Sequence, residues 1–112
     1  MNEKYERQMK KGVLDMLVLR LLKNDAKYGY QIIQEMKEKS DATFVLKDGT
    51  LYPVLYRLEE DGFVQGRWSE ASGKQVARKY YEITESGKQA LIEIESVWNR
   101  ISDGVNQIME ES

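Results

Sequence analysis

The sequence contains no cysteine and no histidine. Without cysteine, the chain forms neither a disulfide nor a thiolate nucleophile. Without histidine, it lacks the commonest general base, the commonest metal ligand and the side chain that titrates near neutral pH. No pair of carboxylates framed by apolar residues takes their place. The sequence therefore predicts a protein that is not an enzyme and that holds no metal or cofactor.

Long apolar runs are also absent. None approaches the ~20 residues that a membrane-spanning helix needs, and the charged N-terminus leads into no signal-peptide core. The chain has one proline among its 112 residues and no low-complexity tract, so we expect it to fold nearly throughout as one small unit. These features predict a cytoplasmic protein without a membrane partner.

Charge is distributed unevenly along a chain whose net charge is −2. Basic residues exceed acidic ones in residues 1–39 and 63–81, and acidic residues prevail in residues 40–62 and 82–112. Contact with phosphates requires a local basic patch and not a high overall pI. The distribution is therefore compatible with a nucleic-acid partner.

Apolar spacing typical of helices covers the first third of the chain. We expect a first helix over residues 4–23 and a second helix over residues 28–39. Residues 44–46 are apolar and are expected to form a short strand beside the hairpin that follows later in the chain.

A third helix is predicted to begin near Gly49 or Thr50. Proline is tolerated in a first helical turn, where its missing N–H has no partner to lose, and Pro53 places the start accordingly. Three leucines recur on one face at helical spacing and are expected in the core. They are Leu51, Leu55 and Leu58. Gly62 is expected to end the helix in the left-handed conformation.

A hairpin and a long last helix complete the expected order. Residues 63–70 and 75–83 are rich in aromatic and β-branched side chains, which favour strands. Residues 71–74 are expected to form the turn between these strands. Thr84 is a natural N-cap for the last helix.

The last helix carries apolar residues at alternating steps of three and four, the a/d spacing of a coiled coil. These seam residues are Leu91, Ile94, Trp98, Ile101, Val105 and Ile108. So small a unit cannot cover the whole seam, which predicts an interface with a second copy of the chain. Trp98 allows two interpretations: packing in the dimer, or a flat wall on which an aromatic ligand stacks.

Helices followed by a hairpin with basic residues at its tip are typical of a protein that reads duplex DNA. The predicted DNA-contacting residues are Thr50, Tyr52, Pro53, Tyr56 and Arg57 on the third helix and Lys74, Gln75, Arg78 and Lys79 on the hairpin. A protein-interaction adaptor built on the same fold is the alternative function.

Several of these residues also have plainer interpretations. One of Tyr52 and Tyr56 can pack its ring and leave only its hydroxyl in water. Arg57 can pair with an acidic residue of its own helix. Arg78 and Lys79 are neighbours on a strand and point to opposite faces, so that only one of them can meet a phosphate.

Four segments resemble the PadR family of bacterial transcriptional regulators, the phenolic-acid-responsive repressors, and in particular its short subfamily. The segments KGVLDMLVLRLL and YGYQIIQEMKE are similar to the first two helices of that family. DGTLYPVLYRLEEDGFV is similar to its recognition-helix signature, and ARKYYEITESGKQAL resembles its wing strand and the start of its dimerisation helix.

The resemblance implies a mainly α fold with a small β-hairpin. It implies a winged helix-turn-helix over residues 1–83 and a dimerisation helix over residues 84–112. A homodimer would repress transcription from a pseudo-palindromic operator in double-stranded DNA. Some short members bind flat hydrophobic drugs between two interface tryptophans, which implies a ligand pocket at Asp15, Trp98 and Ser102. A ligand-sensing dimer with incidental DNA affinity is a further alternative.

Overall fold

A computed structural model describes residues 3–70, 73 and 76–111 of the chain. Within these residues the chain forms five helices and three short strands. In chain order they are α1 (Glu3–Lys11), α2 (Leu14–Leu21), β1 (Lys27–Tyr28), α3 (Gly29–Lys39), α4 (Asp48–Glu60), β2 (Val64–Trp68), β3 (Lys79–Ile83) and α5 (Glu85–Glu110). The prediction of a mainly helical fold with a small β-hairpin is confirmed.

The core lies where α2, α3 and α4 meet the sheet and the first turns of α5. As predicted, Leu51, Leu55 and Leu58 are fully buried on one face of α4, and Val54 beside them is nearly so. Burying a leucine side chain contributes about 1.5–3 kcal/mol. This face of α4 is therefore held inward, and its opposite face is left for other contacts.

The predicted first helix over residues 4–23 is wrong, because the chain breaks it into α1 and α2. Gly12 is a poor helix former, and the backbone of Val13 leaves the helix at φ −108° and ψ −2°. The Val13 N–H donates a hydrogen bond of 3.1 Å to the carbonyl of Lys10, three residues earlier. This turn is tighter than a turn of α-helix, in which the bond spans four residues. Helix α1 contains no buried residue, whereas four residues of α2 are buried in the core.

The expected strand at residues 44–46 is also wrong, since this segment has no regular structure. Phe44 and Leu46 pack against the core instead. The third strand is β1, which pairs with β3 to give an antiparallel sheet of order β1-β3-β2. Lys27 of β1 is buried, and its ammonium lies 3.4 Å from a Glu35 carboxylate oxygen.

Helix α4 begins at Asp48, slightly earlier than expected, so that Pro53 is its sixth residue and lies beyond the first turn. Proline has no N–H to donate to the carbonyl of Gly49, four residues earlier. Gly49 is exposed, and water can satisfy that carbonyl. The predicted end of the helix is confirmed, because Gly62 follows it with φ +81°.

The two strands of the hairpin are shorter than the predicted ranges 63–70 and 75–83. Strands β2 and β3 pair from Val64 opposite Ile83 to Trp68 opposite Lys79. Gly73 lies in the turn with φ +59°. Lys74 and Gln75 lie outside the described residues.

Helix α5 starts as predicted, with the Thr84 hydroxyl oxygen accepting a hydrogen bond of 3.0 Å from the Gly87 N–H. Its first turns pack against α2 and bury Leu91. Along the seam, exposure rises from 3% at Leu91 to 43% at Trp98 and 69% at Ile108. The second half of α5 therefore projects an apolar face away from the rest of the chain.

Two glycines of α5 provide a test of this packing. A Cβ at Gly87 would lie 2.1 Å from the Phe63 carbonyl oxygen, whereas a Cβ at Gly104 would have no atom within 4 Å. Alanine is favoured over glycine in a helix by about 1 kcal/mol, and overpacking costs about 1–3 kcal/mol. We expect Gly87→Ala to lower the thermal midpoint and Gly104→Ala to leave it unchanged or raise it.

The measurement is thermal unfolding followed by circular dichroism, with all variants at one protomer concentration. Equal shifts of the midpoint for the two variants would contradict the close contact between α5 and the base of the hairpin.

Candidate nucleic-acid interface

Helix α4 presents a polar and aromatic face opposite its buried leucines. The exposed side chains on this face include those of Thr50, Pro53, Tyr56 and Arg57. All four are among the predicted DNA-contacting residues. A helix with one face held in the core and the other face free has the dimensions to enter a major groove.

Tyr52 differs from these four residues because its ring is half-buried against the core. Its centroid lies 6.0 Å from that of Tyr56, with the ring planes tilted by 36°. A Cβ at Gly29 would lie 2.4 Å from the Tyr52 hydroxyl oxygen, so the absence of a side chain at Gly29 makes room for this ring. Of the two tyrosines, Tyr52 packs and Tyr56 faces solvent.

Arg57 makes an ion pair that sequence reasoning did not find. Its Nη2 lies 2.5 Å from the Asp15 Oδ1 on α2, and not beside an acid of its own helix. Neither side chain is buried, and exposed ion pairs contribute about 0–1 kcal/mol. The pair orients Arg57 without preventing an exchange of Asp15 for another anion.

Arg78 lies just before β3 and Lys79 is the first residue of β3, and the two side chains have different partners. The Arg78 guanidinium lies 4.5 Å from the centroid of the Tyr28 ring and has no carboxylate partner among the described residues. The Lys79 ammonium lies 3.5 Å from Glu59 Oε1. Glu59 also accepts a 3.0 Å hydrogen bond from the Gly66 N–H. Lys79 and Glu59 therefore join α4 to the hairpin, and Arg78 remains free for a phosphate.

The pKa values of Lys79 and Tyr81, whose side chains lie close together, both differ from their ordinary values. Burial alone would lower the pKa of Lys79, but attraction to Tyr81 and Glu59 outweighs burial and raises the pKa above its ordinary 10.5. Burial raises the pKa of the Tyr81 hydroxyl above 10.0, although the Lys79 ammonium opposes this change. At neutral pH Lys79 is therefore a cation and Tyr81 is uncharged. Tyr81 is 1% exposed and packs in the core.

A groove of about 340 Å³ lies between the start of α3, the outer face of α4 and the sheet. We call it the aromatic groove after the rings that line it, which belong to Tyr28, Tyr30, Tyr52, Tyr56, Trp68 and Tyr81. Sequence reasoning did not include Tyr28, Tyr30 or Trp68 in the site. The pair of tyrosines that flanks Gly29 was the signal available in the sequence.

Of the three residues of the expected ligand pocket, one lines a cavity that the other two do not line. Asp15 lines a cavity of about 590 Å³ together with Met16, Arg57 and Ile94. Trp98 and Ser102 lie further along α5 and do not line it.

The described part of the chain contains no group of three or more acidic residues placed to hold a metal ion. None of its helices is both long enough and apolar enough to cross a membrane.

Comparison with known proteins relates these features to a family. The model of the transcriptional regulator PadR-like family matches residues 18–93. An uncharacterized protein from Lysinibacillus sphaericus is 36% identical over 102 residues, which are 89% of this chain and 91% of that protein. The negative transcriptional regulator PadR of Bacillus subtilis is 34% identical over 79 residues, 70% of this chain but 43% of that protein.

Solved structures give the same relation. A PadR family transcriptional regulator from Eggerthella lenta superposes with a TM-score of 0.80 at 33% identity. The match covers 94% of this chain and 88% of that one. The likeness therefore extends over the helices, the hairpin and most of α5.

Proposed function

The chain belongs to the PadR-like family of transcriptional regulators, and we propose that it binds a pseudo-palindromic operator in duplex DNA as a homodimer and represses transcription. Because members of this family are transcriptional regulators, the prediction that the chain is not an enzyme is confirmed. We assign DNA binding to residues 1–83 and dimerisation to residues 84–112. A bacterial operator lies in the cytoplasm, and we place the protein there.

The observation that carries this proposal is the exposed face of α4 beside Arg78, which has no carboxylate partner among the described residues. Hydroxyl and guanidinium groups on this face, at Thr50, Tyr56 and Arg57, can donate to base edges and phosphates in a major groove. Early residues of a recognition helix enter the groove first, which favours Thr50 and Pro53 as groove residues. Tyr52 packs against the core beside this surface, and its hydroxyl lies next to Gly29.

The hairpin supplies the sequence-independent part of binding in this proposal. Arg78 has no carboxylate partner in the described part of the chain and can reach a phosphate. Lys79, by contrast, forms an ion pair with Glu59. Lys74 and Gln75 precede β3 in the sequence and are assigned to the same contact.

We propose that the α5 helix of a second copy of the chain packs against the seam. Four of its residues are largely exposed in the single chain, and exposed apolar faces of this extent mark interfaces. They are Trp98, Ile101, Val105 and Ile108. A twofold dimer would present two α4 helices to major grooves about 34 Å apart, one turn of the duplex.

Ligand sensing is a second proposed function, supported by the cavity of about 590 Å³ that residues of α1 and α2 line together with Arg57 of α4 and Ile94 of α5. Asp15 lies at this cavity, and Trp98 follows Ile94 by about one helical turn. In a dimer, Trp98 and Ser102 of both copies would extend the cavity. A planar cationic compound could stack on Trp98 and attract Asp15 away from Arg57.

The two tyrosines of α4 test the DNA-binding face. We expect Tyr56→Ala to weaken specific operator binding by about 1–3 kcal/mol, the scale of one good base contact, and to leave the thermal midpoint unchanged. Tyr52→Ala removes a ring that packs on the core, and we expect it to lower the midpoint by several degrees. The measurements are fluorescence anisotropy on the upstream DNA of the gene and thermal unfolding.

An unrelated duplex is the control for specificity in this experiment. If Tyr56→Ala binds the operator as tightly as the wild type does, the outer face of α4 does not read DNA.

Two substitutions test whether the seam forms the dimer interface. One places a negative charge on the seam, and the other places the same charge elsewhere on α5. Ile101→Asp would bury an unpaired carboxylate in the interface, and we expect it to dissociate the dimer at micromolar concentration. Asn99→Asp adds the same charge outside the seam and should leave the dimer intact. Sedimentation should give about twice the 13.1 kDa chain mass for the wild type and Asn99→Asp. A monomeric wild type would contradict the proposal.

Titration with a flat cationic dye such as a Hoechst-type compound tests ligand sensing. We expect the dye to quench tryptophan emission, to bind less tightly to Trp98→Ala, and to weaken operator binding by a coupling of about 1–3 kcal/mol. Equal quenching in the variant and the wild type would leave Trp98 with a packing role alone.

A further inference from the structure

The aromatic groove has an unusual surface for a region next to solvent. Three of its rings are largely exposed, at 62% for Tyr30, 55% for Tyr56 and 69% for Trp68. Its lining includes the cations Arg78 and Lys79 and no carboxylate. Exposed rings combined with positive charge indicate an anionic partner that also has an apolar part.

Arg78 is the cation of the groove that is available to such a partner. Its guanidinium is held over the Tyr28 ring at 4.5 Å, and its backbone N–H donates to Ser69 Oγ at 2.9 Å. The ring contact restricts the side chain and the backbone hydrogen bond restricts the main chain, and neither contact neutralises the guanidinium charge. Lys79, by contrast, is paired with Glu59.

The three exposed rings each carry one hydrogen-bond donor. Tyr30 and Tyr56 have a hydroxyl, and Trp68 has an indole N–H. The Tyr30 hydroxyl oxygen already accepts a hydrogen bond of 2.9 Å from Gln34 Nε2, so its own hydrogen is left to donate elsewhere. Tyrosine hydroxyls are among the groups that contact phosphate oxygens in protein–DNA complexes.

We infer that one sugar–phosphate strand of the bound duplex lies in the aromatic groove. Arg78 supplies the charged phosphate contact, and Tyr30, Tyr56 and Trp68 supply uncharged hydrogen bonds and apolar contact with deoxyribose. This inference rests on the proposed function, because the strand is the one that borders the major groove entered by α4. It assigns Tyr30 and Trp68, which lie on α3 and β2, to the DNA-binding surface.

The geometry favours a backbone strand over stacked, unpaired bases. One face of the Tyr28 ring is covered by Arg78, and the ring makes a T-shaped contact with the Tyr80 ring at a centroid distance of 5.4 Å. Tyr81 is buried in the core, and Tyr52 packs behind Tyr56. Half of the rings of the groove, those of Tyr28, Tyr52 and Tyr81, therefore offer little open surface to bases, and the three exposed rings each carry a hydrogen-bond donor for a phosphate oxygen.

Charged and uncharged contacts differ in their dependence on salt. Each phosphate neutralised by a cation releases counterions and adds about 0.9 to the slope of log K against log salt concentration. An uncharged donor strengthens binding without releasing counterions. The proposed contacts can therefore be separated by measuring affinity over a range of salt concentrations.

The experiment measures operator affinity of the full chain at several salt concentrations by fluorescence anisotropy. We expect Arg78→Gln to reduce the slope by about 0.9 for each phosphate contact that a protomer loses. Tyr30→Phe should weaken binding about 3- to 10-fold at every salt concentration, with an unchanged slope. Tyr5→Phe removes the hydroxyl of an exposed tyrosine on α1, outside the groove, and should change neither quantity.

Fluorescence provides a second measurement, because the chain has two tryptophans. The change of emission on adding operator duplex should be largely lost in Trp68→Phe. The inference is overturned if Tyr30→Phe and Arg78→Gln bind as the wild type does, or if an oligo(dT) strand changes Trp68 emission more than the duplex does. A wild type that binds no duplex at all would overturn the proposed function instead.

Discussion

Burial of one face of α4 is the constraint on which the rest of the structure depends. Leu51, Leu55 and Leu58 are almost fully removed from water, and together they stabilise the fold by several kcal/mol, at about 1.5–3 kcal/mol for each side chain. A rotation of α4 about its axis would expose these leucines. The direction in which the outer face of α4 points is therefore set by the buried leucines and does not depend on which polar residues that face carries.

A junction of three elements relates this helix to α5. The hydroxyls of Thr84 and Ser86 donate to the Gly62 carbonyl at 2.7 and 2.8 Å, where α4 ends. The Thr84 N–H donates to the Phe63 carbonyl at 3.0 Å, and Gly87 leaves room for that same carbonyl. The end of α4, the base of the hairpin and the start of α5 thus share one set of contacts. A dimer formed through α5 would set the separation of its two α4 helices through this junction.

Local signals in the sequence were sufficient for much of the fold, including the α4 leucines, the left-handed Gly62 and the Thr84 cap. The errors have different origins. The strand at Lys27–Tyr28 depends on its pairing with β3, a tertiary contact that local propensity does not encode. The break after Lys11 had a local signal in Gly12, whose helix propensity is low. In the candidate site, the exposed residues of α4 were predictable. The approach of Tyr52 to Gly29 and the pairing of Arg57 with Asp15 join residues too far apart in sequence for periodicity to reveal.

The central claim is that two α4 helices, held by paired α5 helices, read one face of a duplex. Hydroxyl-radical footprinting of the operator tests it most directly, because this probe reports protection of each sugar along both strands. The account predicts two protected tracts on one face of the duplex, with centres about 10–10.5 base pairs apart. A single tract, or protection that continues around the duplex, would contradict it.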